Sequence, residues 1–233
     1  MSDISEIKNK LKLIGFNGIY DYLNSNIEIN KLELNNINAL EKFINIELEH
    51  KKATSLNYKL KNARFPIIKN IEETSQKQLI EHIDIKQFIS EHYNIIFYGG
   101  TGTGKTHLSI GFGYKLIQLN YKVIYYTLND LVNIIIKQKQ YNKLNTFLKK
   151  MFNFDLIIID EFGYMPVNEE ASSALYELFN NMYEKKSLIV STYLKFEDWV
   201  NIFKNEKSTK VIVDRLTHYC HVIQTGNISF RKS

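Results

Sequence analysis

The sequence predicts an α/β domain with a parallel sheet between helices, preceded by a small all-helical domain. Three observations predict it. From Asn94 onward, short β-branched and aromatic runs alternate with helix-length segments. No strand-like alternation occurs before residue 90. A glycine-rich turn at residues 99–106 joins the first apolar run to a helix.

Residues 1–66 read as the helical domain. Ile4, Ile7, Leu11 and Ile14 recur at three- and four-residue spacing until Gly15 and Gly18 break the pattern. A longer segment places Ile37, Leu40, Phe43 or Ile44, and Leu48 on one face, and Pro66 ends it. Residues 67–76 read as a linker, and 77–233 as the α/β domain.

In that domain Ile95-Ile96-Phe97-Tyr98 is the first strand, and Thr106 to Leu119 the helix after the turn. Lys122 to Thr127 is a second strand, followed by a helix from Leu128 to Gln140. Leu156 to Asp160 is the third strand, Glu169 to Glu184 a helix and Ser187 to Thr192 the fourth strand. His221 to Thr225 is a candidate fifth. Apolar runs without polar alternation suit strands buried on both faces, hence a parallel sheet covered by helices.

The bulk properties narrow the class. No apolar run approaches the roughly 20 residues that a membrane helix needs. The N-terminus carries two acids among its first six residues and lacks the basic and apolar regions of a secretion signal. The single cysteine, Cys220, excludes an internal disulfide framework and a cysteine-only zinc site. A cytoplasmic location is expected. The formal charge of +5 permits association with nucleic acid without establishing it.

The turn is chemically explicit. Gly99, Gly100, Thr101, Gly102, Thr103, Gly104, Lys105 and Thr106 fit G-x-x-x-x-G-K-[ST]. Glycines let successive backbone N–H groups turn inward onto phosphate oxygens, and the following helix N-terminus adds a favourable dipole. Lys105 supplies a cation to the β- and γ-phosphates, and the Thr106 hydroxyl is a Mg²⁺ ligand. ATP with Mg²⁺ is the expected ligand. Asp160, at the end of the third strand, is the second metal ligand, because its carboxylate emerges at the carboxyl edge of the sheet. Glu161 follows and is the candidate base for an attacking water.

These residues carry a resemblance. The chain resembles an IstB-type transposition helper, a DnaC-related AAA+ P-loop ATPase, over nearly its whole length. Gly99 to Thr106 with the trailing His107-Leu108 resembles that family's nucleotide loop, which adds His107 to the candidate nucleotide contacts. Asp155 to Pro166, with Gly163-Tyr164 after the acidic pair, resembles its Walker B segment. Tyr183-Glu184, Phe196 to Trp199, Asp214-Arg215-Leu216 and Ser229-Phe230-Arg231 match further landmarks, and Ala63-Arg64-Phe65-Pro66 resembles the end of its small N-terminal domain.

The resemblance implies an ATP-dependent homo-oligomer that binds DNA and serves a transposase. A replicative helicase loader of the DnaC type is the alternative, since the same engine serves both. It implies that Arg215 is an arginine finger reaching a neighbour's ATP, and that Arg231 is a sensor II arginine near the γ-phosphate of its own subunit. One position departs from the pattern. Where the family usually carries the sensor 1 Asn after Thr-Ser, this chain reads Ser191-Thr192-Tyr193. A tyrosine hydroxyl stands much farther from the backbone than an Asn amide, so slow hydrolysis is expected.

Two basic stretches accompany the motifs. Lys137, Lys139, Lys143, Lys149 and Lys150 occur with no acid between 131 and 154, and Lys51, Lys52, Lys59, Lys61 and Arg64 form the second. Each reads equally as a phosphate-contacting face or as a solvated lysine-rich surface. His218 and His221 form an i, i+3 pair without other nearby metal ligands and read as structural.

Overall fold

The computed structural model describes residues 4–16, 20, 24, 31–74, 76–164, 166–203 and 206–226. Gly18 and the Ser229-Phe230-Arg231 motif lie outside the described residues. The chain forms two compact units, Met1–Tyr58 and Lys59–Ser233.

The first unit holds helix α1 (Ile4–Leu13) and most of helix α2 (Lys31–Ala63). The three- and four-residue spacing of α1 turns Ile7, Leu11 and Ile14 to one side, where they are buried with Ile44. Lys10 ties this contact at its rim, pairing with Glu6 at 2.8 Å and Glu41 at 3.2 Å. After Ala63 the backbone turns through a left-handed Arg64 (φ 59°) and a residue preceding proline, which together stop the helix.

In the second unit two 3₁₀ turns (Ile71–Glu73 and Lys77–Leu79) and the short α3 (Ile85–Ser90) lead into the sheet. The elements that follow are β1 (Asn94–Tyr98), α4 (Lys105–Gln118), β2 (Val123–Thr127), α5 (Leu128–Gln140), α6 (Leu144–Met151) and β3 (Leu156–Phe162). Then come α7 (Glu169–Met182), β4 (Ser187–Thr192), a 3₁₀ turn at Phe196–Trp199, α8 (Val200–Phe203), α9 (Glu206–Thr217) and β5 (Cys220–Gln224). The five strands are all parallel, in the order β2-β3-β4-β1-β5.

The expected strands are present, with β3 running two residues past Asp160 and β5 shifted by one position. Helices α3, α6, α8 and α9 add to those expected. Both faces of the sheet are covered. Ile96, Ile124, Ile157, Ile159 and Val190 face a core shared with α5, α6 and α7. On the other face the Ile158 Cδ1 lies against Gly113 of α4, where an added Cβ would stand 2.8 Å away. Burying apolar area at roughly 25 cal/mol per Å² on both faces makes this sheet the main stabilising layer.

Candidate functional site

The nucleotide loop hangs between the end of β1 and the start of α4, and its glycines are there for two reasons. Gly102 (φ 79°) and Gly104 (φ 89°) take the left-handed conformation, the latter as the N-cap of α4. Gly99 is required by close approach, because a Cβ there would collide with the Thr225 hydroxyl and stand 2.7 Å from the Gly226 carbonyl oxygen. The residues after β5 thus form the floor of the loop. The Gly100 N–H donates to the Gly226 carbonyl at 3.0 Å, and the buried Thr103 hydroxyl lies 2.7 Å from that of Thr225. The Lys105 ammonium folds back onto the loop, donating to the carbonyls of Gly99 (2.8 Å) and Gly100 (2.6 Å).

Across the sheet edge stands the acidic pair. Asp160 pairs in register with Thr127 of β2, and the β3–β4 register shifts between Ile159 and Phe162. The shift is a bulge with Glu161 in the left-handed region (φ 55°), at a cost of roughly 1–2 kcal/mol. It turns the Glu161 side chain to solvent while Asp160 and Phe162 on either side stay buried. Both Asp160 oxygens accept hydrogen bonds, Oδ1 from the Glu161 N–H at 3.0 Å and Oδ2 from the Tyr125 hydroxyl at 2.9 Å. Burial first, and the Asp160 charge second, push the Tyr125 phenol far above its ordinary range, so it acts as a donor.

Loop and acidic pair line one cleft of about 400 Å³. Thr101 to His107 form one wall, with Asp160, Glu161, Tyr164 and Ser191 to Tyr193 opposite, and Glu73, Thr74 and Gln76 close the far end. Gly99 and Gly100 lie beneath the loop rather than on the lining. The far end comes from the segment expected to be a linker, where nothing in the residue pattern signals a site. Gln76 is tied in by its amide N–H, which donates to the Thr225 carbonyl at 3.0 Å.

The sensor position is plain. The Tyr193 hydroxyl donates to the Gly163 carbonyl at 3.2 Å, and the residue is 44% exposed. The neighbouring hydroxyls are committed elsewhere: Thr192 donates to the Phe162 carbonyl at 2.8 Å, and Ser191 is paired with Ser109. Arg215 is not on the cleft lining. It sits on α9 with its guanidinium over the rings of Tyr176 (5.7 Å) and Tyr183 (5.5 Å), and it donates to the Asn180 amide oxygen. Arg231 lies outside the described residues.

The lysines of α5 and α6 are exposed, though Lys139 pairs with Glu170 of α7 at 2.9 Å, so one charge of that stretch is met from another helix. In the second stretch Lys51 pairs with Glu47 at 3.7 Å, Lys59 donates to Asn120, and Arg64 lies over Tyr126. His218 meets Tyr183 while His221 meets His82 and Tyr93, so the two histidines have different partners.

The chemistry that this cleft can hold is a polyphosphate with a divalent cation. The loop N–H groups and the Lys105 ammonium are donors of the kind that phosphates accept, and the oxygen donors of Thr106 and Asp160 are of the kind that suits a hard cation. Comparison with known proteins supports the nucleotide, ATP. The family model described as IstB-like ATP binding protein matches residues 8–233. A Pseudomonas aeruginosa protein named as an ATP-binding protein of insertion sequence IS21 is 30% identical over 208 residues, 86% of this chain and 78% of that protein. A Bacillus thuringiensis subsp. berliner protein named likewise for IS232 is 28% identical over 207 residues, 85% of this chain and 82% of that one.

Solved structures give the same fold. AMPPCP-bound DnaA from Aquifex aeolicus matches with a TM-score of 0.58 at 18% identity, covering 70% of this chain and 51% of that one. The chain thus spans about half of that DnaA. The DnaC helicase loader matches with a TM-score of 0.51 at 17% identity, covering 70% and 95%. The architecture is the AAA+ P-loop fold.

Proposed function

The chain belongs to the family of IstB-like ATP binding proteins, and from that premise we propose that it is a DNA-binding ATPase that helps a transposase in DNA transposition. The observation that carries the reading is the meeting of Lys105 and Thr106 with Asp160 and Glu161 in one cleft. Lys105 neutralises the β- and γ-phosphates. Thr106 and Asp160 would hold Mg²⁺, which would offset the negative charge of the phosphates. Glu161, on the solvent side of the bulge, orients and deprotonates the attacking water.

Arg215 completes the site of a neighbouring subunit in an ATP-dependent homo-oligomer. Its place on α9, away from its own cleft lining, supports that reading. Arg231 serves the γ-phosphate in its own subunit, and His107 contacts the nucleotide. Tyr193, held by Gly163, leaves hydrolysis slow. Residues 1–66 contact DNA or the partner, and residues 77–233 are the ATPase domain, acting in the cytoplasm. No helix among the described residues is long and apolar enough to cross a membrane.

The test adds ATP and duplex DNA to the full chain and follows particle mass and phosphate release. Assembly on DNA that requires ATP and is lost in Lys105→Ala is the expected result. ATP binding without any effect on DNA binding or assembly would overturn the helper reading.

A further inference from the structure

Tyr125 belongs to no motif, yet it touches the acidic pair directly. Its hydroxyl donates to Asp160 Oδ2 at 2.9 Å, and both residues are buried, Tyr125 at 7% and Asp160 at 2% exposure. The other oxygen is held by the Glu161 N–H, so the plane of the carboxylate is fixed from two sides. The Cβ–Cγ torsion of an aspartate is intrinsically broad, so with only one of these bonds its plane would be less firmly fixed.

The tyrosine ring is itself seated. Phe65, two residues past the end of α2, presents its edge to the Tyr125 ring with centroids 6.4 Å apart and planes at 77°. Phe65 reaches that place because α4 carries Gly113 there, where a Cβ would stand 3.0 Å from Phe65 Cζ. The chain therefore contains a contiguous contact from Phe65 through Tyr125 to Asp160. Edge-to-face aromatic pairs are directional, so the ring's position sets where the hydroxyl points.

We propose that Tyr125 is a positioning residue that aims the Asp160 carboxylate at the divalent cation, and that Phe65 holds Tyr125 in register for it. The proposal rests on the reading of Asp160 as a metal ligand. Hydrogen bonds to ligating carboxylates orient the ligand and tune its basicity, and their loss typically costs ten- to a hundredfold in metal affinity. The Tyr125 bond leaves further lone pairs on Asp160 for a cation, since an ionised carboxylate accepts about four hydrogen bonds.

The test is binding of mant-ATP to the full chain, in EDTA and across a MgCl₂ titration, with melting temperature as the fold control. Tyr125→Phe is expected to raise the Mg²⁺ midpoint about tenfold while leaving the affinity in EDTA unchanged. Phe65→Leu, which keeps the hydroxyl and loosens its seat, is expected to shift the midpoint the same way by less. Asp160→Asn is expected to abolish the Mg²⁺ dependence. If Tyr125→Phe keeps the wild-type midpoint while Asp160→Asn loses it, the positioning role is wrong and the metal reading stands. If Asp160→Asn also keeps it, the metal reading fails and the proposal with it. An equal loss of affinity in EDTA and in Mg²⁺ would mean that Tyr125 acts through the fold, and would also overturn the proposal.

Discussion

The hydroxyls of Thr103 and Thr225 meet at 2.7 Å in a fully buried contact that joins the nucleotide loop to the end of β5. Thr103 has the Gly100 carbonyl at 2.8 Å as an acceptor, whereas the alternative acceptor of Thr225, the Tyr98 carbonyl, stands at 3.4 Å, so the shorter contacts favour Thr103 donating to Gly100 and Thr225 donating across the pair. The loop is therefore shaped from below by a strand more than a hundred residues away in sequence.

That contact makes Thr225→Val a sharp probe. The replacement is close in volume but removes the donor to a buried oxygen, which costs about 1–3 kcal/mol. The expected result is a lower melting temperature and weaker ATP binding, measured by thermal unfolding and mant-ATP titration. An unchanged ATP affinity would show that the loop holds its shape without β5.

Gly99→Ala is expected to be more severe. Its Cβ would press on the Gly226 backbone, which cannot rotate away as a side chain could, and such overpacking costs roughly 1–3 kcal/mol or more. Loss of ATP binding with the second unit still folded by circular dichroism is the expected outcome.

Tyr193→Asn is expected to raise steady-state ATP hydrolysis several-fold with little change in ATP affinity. An Asn amide is short enough to reach into the cleft, whereas the Tyr193 hydroxyl is spent on Gly163. Equal hydrolysis rates in the two proteins would overturn the proposal that Tyr193 slows turnover.

A pH dependence follows from His221. Burial, and then the neighbouring His82, hold its imidazole below the ordinary 6.5. The unfolded chain therefore binds more protons than the folded one just below pH 6.5, so stability is full above that value and falls as pH drops toward the folded pKa. The melting temperature is expected to decline as pH falls below about 6.5, and the decline is expected to flatten in His221→Asn.

Much of the site was legible because its chemistry is local. Gly99 to Thr106 is contiguous, and Asp160 follows a β-branched apolar run of strand length. Glu161 was legible as an acid beside Asp160, but its left-handed backbone was not, because a bulge depends on the register with β4. Tyr125 looked like one more apolar strand residue. Its hydroxyl acquires meaning only once β2 lies beside β3, a contact between residues 35 positions apart. Glu73, Thr74 and Gln76 are hidden for the same reason, since a segment without periodicity reads as a linker until Ile71 packs against Gly111 of α4 and Gln76 bonds to Thr225. Helix α6 was missed because the lysines crowding it mask Leu148 and Met151, the residues it buries.

The lysines of α5 and α6 offer a test with its own internal contrast. If they meet DNA phosphates, the slope of log affinity against log salt shrinks by about 0.9 for each contact removed. Lys143→Gln and Lys149→Gln are expected to show that change, since both side chains are exposed on the same stretch. Lys139→Gln is expected to change the slope less, because its ammonium is paired with Glu170 and brings little uncompensated charge. Duplex binding measured by fluorescence anisotropy from low to high salt separates the three. Identical slopes in wild type and all variants would make this face a solvated surface.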